Sequence, residues 1–122
     1  MGFTLELGGT VAQKRLVKLS SGKAVYNTAT ATDDPVGVAD YDGVSGDLVN
    51  IISLNEAEPI EMTAGGAFGV DADLYAMADG KVGALPIANG TYRRVAKAIQ
   101  AATADGDIVL VVPYNDGKTT TV

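Results

Sequence analysis

The feature of this sequence that most limits its fold is a duplication, because two stretches of the chain carry the same order of residues. The pairs LV at 16–17 and GK at 22–23 return as LY at 74–75 and GK at 80–81, 58 positions later (80 − 22). Further along, GDLV at 46–49 returns as GDIV at 106–109, now 60 positions later (106 − 46). A small unit used twice predicts one fold made of two similar halves.

Each half consists of short apolar runs separated by turn residues. Runs at 15–19 and 23–27 flank Ser20-Ser21-Gly22, where glycine can supply the positive φ of a hairpin, and similar runs occur at 36–41, 48–54, 60–63, 74–77, 81–85 and 108–113. The segment 94–102 has helical propensity, but Val95-Ala96 stands where Val38-Ala39 stands in the first half, which favours a strand. The sequence therefore predicts an all-β fold, a small antiparallel β-barrel or β-sandwich (β-tulip-like) with internal pseudo-duplication and an extended N-terminal arm.

The chain of 122 residues has the length of one domain. Residues 1–10 are expected to form the arm, because Phe3, Leu5 and Leu7 alternate with polar residues and end at Gly8-Gly9. Such an arm would pair with another subunit or a partner, or stay disordered until it does. Residues 11–114 are expected to form a single β domain of two halves, about 11–54 and 60–114, and the polar residues 115–122 a flexible tail.

Composition excludes most kinds of catalyst. The chain has no cysteine and no histidine, which removes the thiolate nucleophile, the commonest general base and the commonest metal ligand. The acidic residues Asp33, Asp34, Asp71 and Asp73 lack the spacing and the closing glutamate of a calcium loop. We therefore expect no enzyme activity, no catalytic residue, no metal site and no cofactor.

The charge balance argues against nucleic acid as a partner. Nine basic residues stand against 15 acidic ones, a formal net charge of −6, and the one basic cluster, Lys14, Arg15 and Lys18, is short. That cluster is expected to be a solvated face or a protein contact. No segment approaches the roughly 18 apolar residues of a membrane helix, and no signal peptide is visible. We expect a soluble protein that is made in the cytoplasm.

Two stretches resemble the phage capsid decoration family, also called capsid cement. The first is MTAGGA at 62–67, followed by DLY at 73–75 and DGKV at 79–82. The second is RVAKA at 94–98, followed by AATADGDIV at 101–109, and the opening segment 12–19 with Gly22 fits as well. The chain departs from the family at Lys97-Ala98, where Gly-Ile is usual, and in its polar tail after Pro113.

The resemblance implies a head-stabilising protein of a tailed phage or prophage, located on the outer capsid surface of the virion and synthesised in the bacterial host cytoplasm. Its implied partners are the lattice of the major capsid protein in its expanded state and further copies of itself, as homotrimers at or near threefold and quasi-threefold sites. There it would resist the internal pressure of the DNA. Arms of such proteins often reach onto neighbouring capsid subunits, which makes a set of N-terminal residues candidate capsid contacts: Phe3, Leu5, Leu7, Lys14 and Arg15.

One alternative belongs to another functional class. A small β-barrel module that binds a sugar or a peptide would also suit the duplicated hairpins. The shortage of aromatic residues counts against it, because sugar sites usually stack the ring on Trp or Tyr, and the chain has no Trp and only five Tyr.

Overall fold

The computed structural model describes residues 2–54, 58–85, 89–114 and 116–122. This part of the chain contains a 3₁₀ turn at Ala78–Gly80 and eleven strands: β1 Gly2–Glu6, β2 Leu16–Ser20, β3 Lys23–Tyr26, β4 Pro35–Ala39, β5 Leu48–Ser53, β6 Ile60–Thr63, β7 Asp73–Ala76, β8 Val82–Gly83, β9 Thr91–Ala98, β10 Ile108–Pro113 and β11 Thr119–Thr121. The segment of uncertain type, 94–102, is a strand as far as Ala98. Within the described residues, no helix has the length and apolar character needed to cross a membrane.

The strands form two antiparallel sheets with the same topology. The first sheet has the order β1-β5-β4-β2-β3 and the second β6-β10-β9-β7-β8, with β11 added to β9. Apart from β11, each strand of the second sheet thus takes the place of the strand five positions earlier. Among the described residues, one parallel bridge in each half, Leu7 to Ala24 and Ala64 to Val82, brings the two edges of the sheet together, but no continuous ladder closes it. The prediction of a duplicated all-β fold is confirmed.

The duplication extends to unusual backbone conformations. Positive φ angles occur at matching places in the two halves, namely Lys14 and Asp71 (60° and 63°), Ser21 and Asp79 (52° and 59°), Gly22 and Gly80 (79° and 70°), and Gly46 and Gly106 (93° and 95°). The spacing of these pairs grows along the chain, from 57 (71 − 14) through 58 (80 − 22) to 60 (106 − 46). Single residues are therefore added in the second half, between elements that are otherwise alike.

A bulge in each half changes which residues of the two halves correspond to each other. The ladder between β2 and β4 shifts beside Val17 and leaves Val36 unpaired, and the ladder between β7 and β9 shifts beside Leu74 and leaves Val95 unpaired. Leu74 therefore corresponds to Val17, one residue later than the sequence comparison placed it, and Val95 corresponds to Val36, two residues earlier. A bulge adds one residue to a single strand, which a comparison of letters does not reveal.

The N-terminal segment lies within the first sheet and not beyond it. Strand β1 pairs with β5 over its full length, from Gly2 opposite Ile52 to Glu6 opposite Leu48. The apolar row expected on an arm therefore has an intramolecular surface to pack against, and Leu5 packs against buried apolar residues of the first half.

The repeat also includes this segment. The backbone N–H of Leu7 donates to the carbonyl of Asp47 at 2.8 Å, and the N–H of Ala64 donates to the carbonyl of Asp107 at 2.7 Å. Leu7-Gly8-Gly9 thus corresponds to Ala64-Gly65-Gly66, at a spacing of 57 (64 − 7). The segment expected to be an arm is the first strand of the first half.

The C-terminal segment has backbone partners as well. Strand β11, in the stretch expected to be a flexible tail, pairs with the first three residues of β9. The Tyr75 hydroxyl lies 3.2 Å from the Thr120 hydroxyl, and Val122 exchanges two backbone hydrogen bonds with Gly90. The division of the chain into an arm at 1–10, a single β domain at 11–114 and a tail at 115–122 stays a prediction.

Each half contains an apolar cluster, and the two clusters differ in composition. The cluster of the first half is built from its own inward-facing residues: Leu7, Val11, Val17, Ala24, Ala39, Val49 and Ile51. The larger cluster fills the second half and also takes Leu16, Val38 and Leu54 from the first half, with Ile52 packed against it. Because side chains alternate along a strand, β2 and β4 present one row to their own half and the other row to the second half.

Candidate interaction surface

The two halves meet where the outer face of the first sheet lies against the interior of the second. Leu16 stands opposite Val38, and Val38 stands opposite Ile52, so the three side chains form one row across β2, β4 and β5. Leu16 and Val38 are fully buried in the cluster of the second half. The outer row of the first sheet therefore covers the apolar interior of the second half.

Glycine allows a close approach of the two backbones at this junction. The N–H of Gly80 donates to the carbonyl of Asn27 at 2.9 Å. A Cβ atom at Gly80 would lie only 2.5 Å from the carbonyl oxygen of Leu16, and φ at this residue is 70°. A residue with a side chain at position 80 would separate the two halves, since the atom it meets belongs to the backbone.

The first half contacts the second sheet at one of its two ends. Because neighbouring strands are antiparallel, β6 begins, β7 ends and β9 begins at the same end. Ile60, Ala76 and Val95 lie there with 8%, 1% and 1% of their surface exposed. We call this the covered end.

The matching end of the first half is uncovered in the described part of the chain. Strand β1 begins, β2 ends and β4 begins there, and the residues that correspond to Ile60, Ala76 and Val95 are Phe3, Leu19 and Val36. Phe3 is 40% exposed and Leu19 is 52% exposed, while Val36 is half-buried. We call these three residues, with the half-buried Leu5 beneath Phe3, the open end.

The candidate contact residues of β1 and its continuation differ in accessibility. Phe3 is exposed at the open end, Leu5 is half-buried, and Leu7 is fully buried in the first cluster. Phe3 and Leu5 therefore lie together, with Leu7 as packing behind them. Leu19 was missed by sequence reasoning, although it lies in a run recognised as a strand.

Lys14 and Arg15 immediately precede β2, away from the open end. The Lys14 ammonium group is 2.8 Å from the Asp40 carboxylate, and the Lys14 carbonyl accepts a hydrogen bond from the N–H of Thr63 at 2.8 Å. Arg15 Nη1 donates to the Asp79 carbonyl at 3.1 Å. Both residues thus have partners within the chain and join the two halves.

A shallow depression of about 370 Å³ lies on another part of the first half. Its lining consists of Thr10, Val11, Ala12, Asp42, Gly43, Val44 and Asp47. Val11 bridges Gly43 there, in the place where the larger Phe68 bridges Ala102 in the second half. Among the described residues, no group of three or more acidic residues is arranged to hold a metal ion.

Several aspartates stabilise turns. Hydrogen bonds from the backbone N–H and the hydroxyl of Thr103 lower the pKa of Asp107 below its ordinary value. The Thr28 hydroxyl has the largest effect on Asp33 and lowers its pKa, burial opposes it with the next largest effect, and Lys18 adds smaller effects that lower the pKa further. These carboxylates have structural partners, so their shifted pKa values follow from the turns themselves.

Comparisons with known proteins agree with this architecture. A family model described as phage cement protein matches residues 1–113. No curated protein matches the chain significantly. Among solved structures, the chain is similar to the head fiber gp8.5 N base of bacteriophage phi29, with a TM-score of 0.72, 23% sequence identity and 94% of each chain covered. At this identity the likeness to the solved structure shows the fold alone.

Proposed function

Because the chain belongs to the phage cement protein family, we propose that it binds the outer surface of the expanded capsid and stabilises the head against the pressure of packaged DNA. A structural protein associated with the phage head is what the family supports, and the family resemblance predicted from the sequence is confirmed. The virion is the location that the family implies. The finer statements, on the capsid surface, the expanded state and the pressure, are our proposal.

The observation that carries the proposal is the family match over residues 1–113, and the open end gives it a surface. Apolar side chains grouped at one place on a small protein are typical of an interaction site. Phe3 and Leu5 are the proposed capsid contacts, and Leu7 holds them in place from the first cluster. Lys14 and Arg15 contribute by holding the two halves in their relative positions, through hydrogen bonds between the halves.

Self-association is a separate part of the proposal. We propose homotrimers at or near the threefold and quasi-threefold sites of the capsid lattice. Three copies that bind together multiply modest interfaces, because the second and third contacts form at high effective concentration. This property suits a chain with a core of small aliphatic residues.

Binding to heads tests the proposed function directly. Purified protein is mixed with expanded heads that lack it and, separately, with unexpanded heads, and the bound fraction is measured after sedimentation. We expect binding to expanded heads only, and a higher temperature of DNA release from the decorated heads. If expanded heads bind no protein, the proposed function is refuted. Light scattering of the free and released protein tests the trimer.

A further inference from the structure

The covered end shows how an end of this fold is closed. In the second half, the aliphatic row formed by Leu16, Val38 and Ile52 covers the end at which β6 begins. Beside the row, the backbone of Leu16 lies against Gly80, at a distance that leaves no room for a side chain. Two features therefore cover this end: a row of aliphatic side chains on the face of a sheet, and a backbone segment that passes close to a turn glycine.

The open end has the same backbone and larger apolar side chains. Phe3 stands in place of Ile60, and Leu19 stands in place of Ala76. Gly22, which corresponds to Gly80, has a φ of 79°, and a Cβ atom there would meet no other described residue within 4 Å. The space that the first half fills beside Gly80 is therefore free beside Gly22.

A second copy of this chain lacks the surface that would repeat the closure. Its own aliphatic row is already buried against its second half. The corresponding row of the second half carries two charged residues, since Leu16 and Val38 are replaced in register by Asp73 and Lys97, and Ile52 by Val112. Burying an aspartate and a lysine against apolar side chains costs more than their mutual attraction returns.

From this contrast, we propose that the open end is closed by the capsid shell, which offers it a row of aliphatic side chains on an extended or sheet-like surface. The inference rests on the proposed function and deepens it, because it names the side of this protein that faces the shell and the chemistry of the surface it meets. In this proposal, the capsid shell packs against the open end of the first half in the way that the first sheet packs against the covered end of the second half.

The first test removes the apolar side chains of the open end. The double variant Phe3→Ser with Leu19→Ser is compared with Leu48→Ser, a matched control that is 72% exposed at the other end of the first half, where β5 begins. Binding to expanded heads that lack the protein is measured by sedimentation. We expect the double variant to bind at least about tenfold more weakly and the control to bind like the wild type. Equal binding of the double variant and the wild type overturns the inference.

The second test fills the space beside Gly22 and keeps the apolar residues. Asparagine tolerates the left-handed backbone better than other residues, so Gly22→Asn is expected to fold and to unfold at nearly the wild-type temperature. Its binding to heads should fall about tenfold or more, because the side chain occupies the path of the partner backbone. A folded Gly22→Asn variant that binds normally counts against the inference.

The outcomes separate the inference from the function on which it rests. If the wild type binds no expanded heads, the proposed function fails, and the inference fails with it. If the wild type binds and both open-end variants bind equally well, only the inference fails. If the open-end variants turn an oligomer in solution into a monomer, as measured by light scattering, the open end is a contact between copies, and the assignment to the shell is overturned.

Discussion

The first and second halves of this protein share a strand order and the places of their positive φ angles, but they present different faces to their surroundings. In the first half, the outer row of Leu16, Val38 and Ile52 packs against the second half and the end at Phe3 is open. In the second half, the end at Ile60 is covered and the outer row carries Asp73 and Lys97. One backbone unit thus takes two roles because the side chains at its surfaces differ.

The largest loss of stability is expected when a residue in the outer row of the first half is replaced by the charged residue that stands at the corresponding position of the second half. Val38→Lys places an unpaired charge in the cluster that fills the second half, and we expect a loss of about 4 kcal/mol of unfolding free energy or of the folded state itself. The reciprocal change Lys97→Val, at an exposed position, should alter stability by at most about 0.5 kcal/mol. Urea unfolding measures both, and equal effects would show that the two rows are equivalent after all.

The next largest difference in stability is expected between side-chain truncations at the covered end and at the open end. Ile60→Ala removes a side chain that is 8% exposed at the covered end and should cost about 3 kcal/mol. Phe3→Ala removes a larger side chain that is 40% exposed, and it should cost roughly 1.5 kcal/mol. Unfolding in urea at neutral pH gives both values. A Phe3→Ala variant as unstable as Ile60→Ala would indicate that the open end is needed for folding.

The two turn glycines provide a comparison at matched backbone conformation. Both have φ near +75°, so alanine at either site costs about 1 kcal/mol in backbone strain. Gly80→Ala also brings its Cβ within 2.5 Å of the Leu16 carbonyl oxygen, and the total loss should reach roughly 2 kcal/mol or more. Thermal unfolding of the two variants side by side checks the difference. A Gly22→Ala variant as unstable as Gly80→Ala would contradict the open space beside Gly22.

The smallest effect is expected from the turn carboxylates Asp47 and Asp107. Asp47 accepts a backbone N–H from Val44, whereas Asp107 accepts three hydrogen bonds from Thr103 and Ala104. Asp107→Asn should therefore lower the melting temperature more than Asp47→Asn, although less than Gly22→Ala does.

The dependence on pH has a defined sign at Asp107. The folded state lowers the pKa of this carboxyl, so its contribution is present above the ordinary value of about 4 and is lost as pH falls through the lowered pKa. The melting difference between wild type and Asp107→Asn should accordingly shrink from pH 7 to pH 3. A difference that is constant over this range would exclude the charge as its source.

The sequence predicted most strands because turn residues and alternation are local signals. The runs at 48–54 and 108–113 became β5 and β10, and the hairpin glycines Gly22 and Gly80 have the positive φ that the turns require. The repeat favours a strand at 94–102, and this segment is a strand only as far as Ala98. Comparison of Gly8-Gly9 with Gly65-Gly66 would have shown that residues 1–10 belong to the repeat.

The candidate surface follows less directly from local sequence signals. Phe3, Leu5 and Leu7 form one alternating row in the sequence, yet their exposure falls from 40% at Phe3 to zero at Leu7. Lys14 and Arg15 read as a basic cluster, but their partners Asp40 and Asp79 are distant in sequence. Leu19 lies in a predicted strand, and nothing local distinguishes its exposure from the burial of Ala76. Contacts between residues far apart in the chain decide each of these differences.

The duplication, the all-β class and the family follow from the sequence, because glycine positions, apolar alternation and the order of short motifs are properties of neighbouring residues. The register at the bulges at Val36 and Val95, the pairing of β1 with β5, and the end that is covered depend on contacts across the fold. The physical reason is that both halves carry similar apolar rows, and a row becomes interior or surface only through the placement of the other half against it.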